Sequence, residues 1–466
     1  MLGAAMLLPA LVDLAADNSD WKVFVTCSTL TTAVGLALWS ATRGAATGLS
    51  TRQAMLMTVV SWLLLVTFGA TPFILSGMVP SYTDAFFESM SGLTTTGATV
   101  MTGLDAAPPG ILFWRGLLQW LGGLGIIVMA VAVLPMLQIG GMQIFRAEAF
   151  DTAEKILPRA TQISGSMTLV FIGFTAVCAF LYLIAGMPAD DAVIHAMTTV
   201  ATGGFSTKDA SIGFYDSAAI DMIATVFMTL GAVPFLLYVQ FLQGRPQSLF
   251  RDTQVRVFLI VLMICIAIAW AIAHTGDHFR GLEGLRFAAF SVVSIITGTG
   301  YSSTDYGLWG PHSVAFFFII MFIGGCAGST SCGIKVFRFQ VLFADIRHHI
   351  RQMVYPHGMF VKRFNGRPID ERVITAVMSF FFLYLTSFLV LAILLQVTGA
   401  DFVTAISGAG SAISNVGPGL GKIIGPSGTY APLSDPAKWL LSAGMFIGRL
   451  ELFTVLVLLL PRFWRS

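Results

Sequence analysis

Charge is scarce in this sequence. Asp, Glu, Lys and Arg make up 11% of its 466 residues, against about a quarter in ordinary soluble domains. That shortage excludes a water-soluble chain of this length. With 56% hydrophobic residues, 38 of them Phe, the composition is that of a polytopic membrane protein. Cysteine is scarce too: Cys27, Cys178, Cys265, Cys326 and Cys332 are scattered, four of them in apolar or glycine-rich surroundings. They fit neither a disulfide framework nor a metal cluster and read as small core residues. A polytopic enzyme would need a nucleophile, metal cluster or acid pair facing a cavity, and none has the spacing for it. The start lacks a basic n-region and Asp13 interrupts it, so the first helix reads as a retained membrane segment.

Long apolar runs fill the chain, and four short polar stretches punctuate them. Thr94–Thr99 is followed by Thr202–Thr207, Thr297–Ser303 and Ser414–Gly419. Each stretch follows an apolar segment of about ten residues, too short to cross a bilayer, and lies between two segments long enough to do so. Their glycines Gly97, Gly204, Gly300 and Gly417 are 107, 96 and 117 residues apart, which is a repeat of roughly one hundred residues. Hydroxyls and unpaired backbone at membrane depth are costly unless they line a watery path. Four such stretches about one axis would make a ring of oxygens, the chemistry of a cation filter.

The expected fold is all-α: four helix–pore-loop–helix repeats around one central pore, preceded by two N-terminal helices. Residues 1–52 form the N-terminal accessory unit (Met1–Ala16 and Val23–Ser40), 53–140 the first repeat, and 141–243 the second with a polar connector at Gln138–Ile163. Residues 244–345 form the third, and 346–466 a basic loop with the fourth. The return helices are expected at Ile111–Leu137, Ala218–Leu242, from Ser313, and at Ala437–Leu460. Thr83 or Asp84 is positioned to cap the first re-entrant helix, and Trp114 and Trp120 fit an interfacial belt. Gly122, Gly123 and Gly125 allow a close backbone approach. His195 reads as a packed, neutral side chain, and Lys208 and Asp209 as solvated vestibule charges. Only the third return helix looks interrupted, because Gly324–Gly333 is small and flexible before Lys335. Unwound backbone is tolerated beside a cavity, so this segment is expected just below the filter.

The formal net charge of +2 conceals a sorted distribution. With the pore segments entering from outside, the outer face carries seven Lys/Arg and sixteen Asp/Glu, and the inner face eighteen and seven. The basic excess fixes the orientation, and the outer acids raise the cation concentration at the mouth. Arg338 to Arg372 is expected to be the longest and most basic inner loop, a topology signal or lipid contact, with binding of a cytoplasmic partner as the second reading.

Taken together, Thr83–Ser89 running into Thr94–Thr99, Gln119–Ile127, Gly203–Thr207, Gly324–Lys335, Asn415–Gly421 and Gly448–Glu451 resemble the Trk/Ktr/HKT superfamily of potassium transport proteins. Within it the sequence is similar to the TrkH-like membrane subunits of bacteria, over essentially the whole chain. The resemblance implies a multi-pass protein of the bacterial inner membrane, commonly a homodimer, with K+ as the transported ion, no cofactor in this chain and no nucleic acid. It implies one filter glycine per repeat and a filter of Thr95, Thr96, Gly97, Gly203, Gly204, Thr299, Gly300, Asn415, Val416 and Gly417. A gating loop is implied at Gly324–Gly333, with Gly325, Gly328, Ser329, Thr330 and Lys335, together with a mid-membrane arginine, Arg449. Control is implied to come from a cytoplasmic ring of nucleotide-binding, TrkA-like subunits. The third filter departs from the pattern at Gly298, where hydroxyl residues are commoner.

Burying Arg449 is expensive. Glu451 is two positions on and faces elsewhere on a helix, so carbonyls of the interrupted helix are the expected partners. Channel-like uptake driven by the membrane potential leads. A proton-coupled symporter and the potassium-binding subunit of an ATP-driven pump are the alternatives.

Overall fold

The computed structural model describes residues 1–43, 50–132, 160–275, 281–310 and 312–465. Most of the connector expected at Gln138–Ile163, with Arg146, Lys155 and Arg159, lies outside the described residues. Helices of eight residues or more, in chain order, are α1 Leu7–Ala15, α2 Trp21–Ala41, α3 Thr51–Gly69, α4 Tyr82–Leu93 and α5 Pro109–Ala132. They continue with α6 Ala160–Ile184, α7 Ala189–Val200, α8 Ala218–Gly231, α9 Phe235–Leu242, α10 Thr253–Thr275 and α11 Gly281–Ile296. The last are α12 Ser313–Ile320, α13 Val336–Val354, α14 Glu371–Val397, α15 Phe402–Ser414 and α16 Asp435–Arg449. Among the described residues, six spans are long and apolar enough to cross a membrane, or eight if each of two bent helix pairs counts as one. The chain is a helical, multi-pass membrane protein, with a two-stranded antiparallel hairpin at Arg363–Phe364 and Arg367–Pro368 among the described residues.

Buried apolar side chains form two clusters. One gathers the N-terminal helices with α3–α5 and α14–α16, and the other gathers α6–α12. Between α3 and α5, between α6 and α8, between α10 and α12, and between α14 and α16 lies one short helix: α4, α7, α11 and α15. These helices are buried over most of their length, down to their C-terminal ends. Each begins with an acid, Asp84 in α4, Asp190 and Asp191 in α7, Glu283 in α11, and Asp401 capping α15. That matches the positive end of the helix dipole and leaves the negative end pointing into the protein.

Several expectations are corrected. Ser81, not Thr83 or Asp84, caps α4: its backbone is extended and its hydroxyl accepts from the Asp84 N–H. Thr83 and Asp84 already lie inside the helix, and the Asp84 carboxylate instead pairs at 2.6 Å with Lys438 of α16. Trp114 belongs to no belt. It is fully buried, and its indole N–H donates to the Gly69 carbonyl at 3.0 Å. The basic segment from Arg338 to Arg372 is largely helix α13 and the hairpin. Arg338 pairs with Glu451, and Lys362 with Asp345 and Glu371.

The largest correction concerns continuity. The second return helix bends by 92° between α8 and α9, at Ala232–Pro234, where Pro234 lacks an N–H to continue the ladder. The fourth bends by 109° after Arg449, where Glu451 and Leu452 adopt φ of 62° and 35°. Arg449 is therefore the last residue of its helix, at the bend, and not within a continuous helix. The third return helix stops at Ile320.

The glycines of α5 are where backbones meet. A Cβ on Gly122 would overlap the Leu93 carbonyl oxygen, and one on Gly123 would lie 2.9 Å from the Ala201 Cβ. Both neighbours stand at the C-terminal ends of short helices, so α5 holds α4 and α7 in place. Gly125 has nothing nearer than 3.8 Å. Gly122→Ala is expected to destabilise the detergent-solubilised protein by about 1–3 kcal/mol of overpacking, while Gly125→Ala is neutral or mildly stabilising. Thermal unfolding of the two variants side by side checks this; equal melting temperatures would remove the close-approach role.

Candidate ion pathway

The four short helices end in the same way. One residue just past each helix takes a left-handed backbone: Thr95 (φ 54°), Thr202 (50°), Gly298 (74°) and Asn415 (52°). The next residue's N–H reaches back into the last turn: Thr96 to Ser91 O, Gly203 to Thr198 O, Thr299 to Ser294 O and Val416 to Ser411 O, at 2.8–3.0 Å. This is the Schellman arrangement, which favours glycine at the left-handed position. Gly298 thus occupies the position where the other loops carry Thr, Thr and Asn. Its departure from the pattern relieves backbone strain at that point.

One residue further, Gly97, Gly204, Gly300 and Gly417 have φ of 85°, 81°, 80° and 104°. Gly204, not Gly203, stands in this register. Each lacks a side chain for a reason visible in its neighbour. A Cβ on Gly97 would overlap the carbonyl oxygen of Gly203, one on Gly204 that of Thr299, and one on Gly300 that of Val416. A Cβ on Gly417 would come within 2.6 Å of Thr96 O. The sequence of contacts runs from first loop to second, third, fourth and back to the first. It closes into a ring, with the carbonyl preceding each glycine set against the glycine of the preceding loop.

Side chains brace the ring from behind. The Gln119 amide donates to Gly203 O at 2.5 Å and accepts from Phe205 N–H at 3.0 Å, bracketing Gly204. Asn415 donates to the Thr96 hydroxyl at 2.9 Å and to Met445 O at 2.8 Å. Tyr430 and Ser411 both donate to Gly417 O. On the side assigned outside, a cavity of about 250 Å³ is lined by all four ring glycines, with Arg115, Lys208, Asp209 and Tyr430. Lys208 and Asp209 line this cavity, Asp209 exposed and Lys208 partly so; Lys208 lies 3.6 Å from Asp191, and Asp209 accepts from the Gly103 and Leu104 N–H groups. His195 is buried between Asp191 O and the Ser206 hydroxyl.

On the opposite side of the ring lies the segment Gly324–Gly333, tied to the break in the second return helix. Cys326 N–H donates to Ala232 O, Thr330 N–H to Gly231 O, and Phe235 N–H to Gly328 O. The segment is also closed on itself. Gly324 N–H donates to Ile334 O, Gly325 N–H to the Ser331 hydroxyl, the Ser329 hydroxyl to Cys326 O, and the Lys335 ammonium to Ser331 O. Gly328 and Gly333 have φ of 78° and 71°. Arg449 donates to Thr330 O (3.2 Å), to the Cys332 sulfur (2.6 Å) and to Gly122 O (3.2 Å). The Cys332 sulfur lies 3.7 Å from the Thr95 hydroxyl, and a Cβ on Gly298 would touch Cys332. Cys332 is therefore the residue that meets the ring from below. The scattered cysteine pattern gave no sign of this.

The whole chain has counterparts among known proteins. A family model described as TrkH, a cation transport protein, matches residues 21–466. The chain belongs to the TrkH family. It is 41% identical to the Trk system potassium uptake protein TrkI of Halomonas elongata, covering 100% of this chain and 95% of that protein. It is 37% identical to the Trk system potassium uptake protein TrkH of Escherichia coli K12, covering 100% and 97%. The crystal structure of the potassium transporter TrkH from Vibrio parahaemolyticus superposes with a TM-score of 0.91 at 36% identity, over 99% of this chain and 96% of that one. As a multi-pass member of this family, the chain resides in the inner membrane.

Sequence reasoning singled out the ring residues and the segment below them. It missed the roles of Glu88, Arg115, Gln119 and Cys332. Glu88 and Gln119 stood within the family motifs, and Arg115 is a cation inside an apolar run, a signal that a partner is required.

Proposed function

We propose that this protein carries K+ into the cell through the four-loop ring acting as a selectivity filter. The observation that supports this most is the closed order of glycine-to-carbonyl contacts. Each ring carbonyl lies against a glycine of the neighbouring loop with no side chain between them, which leaves backbone oxygens of four loops free to serve a dehydrated monovalent cation. Thr95, Thr96, Gly97, Gly203, Gly204, Thr299, Gly300, Asn415, Val416 and Gly417 compose the filter. The C-terminal ends of α4, α7, α11 and α15 add partial negative charge below it. Gly324, Gly325, Gly328, Ser329, Thr330, Gly333 and Lys335 form the gate, with Arg449 as its latch. A cytoplasmic nucleotide-binding partner ring moves that gate in a homodimeric assembly. The membrane potential drives entry, worth about 2.3 kcal/mol per charge per 100 mV.

Protein reconstituted in liposomes together with its cytoplasmic partner, under an imposed inside-negative potential, is expected to accumulate K+ or Rb+ in preference to Na+, without a pH gradient. Equal Na+ and K+ entry would overturn the filter. Uptake that is absent under the potential alone and appears only when a pH gradient is added would transfer the mechanism to proton-coupled symport.

A further inference from the structure

We infer that the buried Glu88–Arg115 ion pair fixes the charge balance and geometry of the outer mouth of the filter, making both residues determinants of conduction and cation preference. The inference rests on the filter reading above. Arg115 Nε lies 2.9 Å from Glu88 Oε1, with the side chains 2% and 0% exposed. Arg115 Nη1 donates to Ser206 O at 2.6 Å and Nη2 to the Thr99 hydroxyl at 3.2 Å, and its guanidinium sits 4.2 Å over the Phe205 ring. The Glu88 carboxylate accepts from the Thr99 hydroxyl and, at 3.0 Å, from Val100 N–H. Thr99 and Val100 follow Gly97, and Phe205 and Ser206 follow Gly204. One pair thus grips the outgoing strands of two adjacent filter loops.

The other two loops are held without charge. Ser294 donates to Tyr301 O at 2.7 Å in the third, and Ser411 and Tyr430 to Gly417 O in the fourth. Neutral hydroxyls therefore suffice for bracing. A buried ion pair is a poor source of stability, because desolvating both charges offsets their attraction. What distinguishes this pair is its position, since Arg115 lines the outer cavity beside the ring glycines. A guanidinium in the wall of a cation mouth repels the permeant ion unless a carboxylate balances it. Glu88 supplies that balance while its remaining acceptor sites hold the strand.

The two charges predict opposite responses. Glu88→Gln keeps the shape and leaves Arg115 unbalanced, so K+ uptake at low ionic strength is expected to fall about tenfold, with the deficit shrinking as salt screens the charge. Arg115→Gln leaves the carboxylate facing the mouth, so block by external Ba2+ is expected to tighten by about tenfold. The double variant Glu88→Gln/Arg115→Gln removes both charges and is expected to regain uptake relative to Glu88→Gln. A pair that merely props the loops would make the double variant no better than either single one.

Uptake per protein molecule, in cells deprived of their other potassium uptake systems, supplies the readout. A double variant no better than Glu88→Gln overturns the inference, as do single variants that shift uptake and Ba2+ block in the same sense. Should Glu88→Gln not fold, Arg115→Lys keeps the charge and loses the multiple contacts. It is expected to conduct with a reduced preference for K+ over Na+, and an unchanged preference overturns the geometric part. Gly204→Ser, measured alongside, separates the two readings. If it keeps the parent's preference the filter assignment fails. If it loses preference while the pair variants match the parent, only the present inference fails.

Discussion

Shortening the loop within Ala327–Ser331 is expected to turn the protein into one that passes K+ without any cytoplasmic partner. The loop is buried beneath the ring, and hydrogen bonds hold it both to the broken second return helix and across its own turns. Removing residues around Thr330 deletes its bonds to Gly231 and Val200 together with the carbonyl that Arg449 holds. Each hydrogen bond contributes about 0.5–1.5 kcal/mol net, so a handful accounts for a closed state favoured by a few kcal/mol. Arg449→Ala is expected to raise partner-free flux as well, though less. It removes the positive charge beside the path, whose repulsion of a cation about 4 Å away is about 4 kcal/mol at an effective dielectric of 20, but leaves the loop in place. Single-channel or liposome flux, normalised to reconstituted protein, reads both. Folded variants that conduct no more than the parent without a partner would remove the loop and Arg449 from the gate. A loss of folded protein with no gain per molecule would reduce both to packing roles.

The physics of the two breaks explains what the sequence could and could not disclose. Gly324–Gly333 announces itself, because so many glycines and hydroxyls cannot sustain a helix in lipid. Pro234 is a weaker signal, since proline is tolerated in membrane helices when neighbours satisfy the freed carbonyls. Here Cys326 and Thr330 do so. The break after Arg449 has no local signal at all. Leu450, Glu451 and Leu452 are ordinary helix formers, and the chain turns there because Arg449 is drawn to the loop while Glu451 pairs with Arg338, 113 residues away. The same limit applies to the ring. Glycine at four equivalent positions is legible from spacing, and Asn415 is a residue that tolerates the left-handed region, whereas Thr95 and Thr202 carry β-branched side chains that normally avoid it. Their strain is held by tertiary contacts with the segment below, Thr95 with the Cys332 sulfur and Thr202 with the Thr330 hydroxyl. The Glu88–Arg115 pairing lies between: each residue shows in the sequence as a costly charge, but which one answers the other depends on how α4 packs on α5.

Gly204→Ser is expected to abolish most of the preference for K+ over Na+ while leaving the protein in the membrane. Two costs act at that position. A side chain in the left-handed region costs about 1–2 kcal/mol by itself, and the new Cβ overlaps the Thr299 carbonyl oxygen. The first cost is common to any left-handed glycine, whereas the second is specific to the ring, because the carbonyl must turn or retreat. Gly186 separates them. Its φ is 93° and nothing lies within 4 Å of a Cβ built there, so Gly186→Ser carries the backbone cost without touching any oxygen. Displacing one of the four oxygens proposed to ligate the ion would weaken the difference between the two ions, and a difference of only 1.4 kcal/mol is a tenfold preference. Competition of Na+ against Rb+ uptake is therefore expected to show a roughly tenfold loss of discrimination in Gly204→Ser and Gly97→Ser. Gly186→Ser is expected to differ from the parent in stability alone. If the folded Gly204 and Gly97 variants discriminate as the parent does, the ring is a packing device and the filter lies elsewhere. If Gly186→Ser loses discrimination equally, backbone strain and not the carbonyl ring governs selectivity.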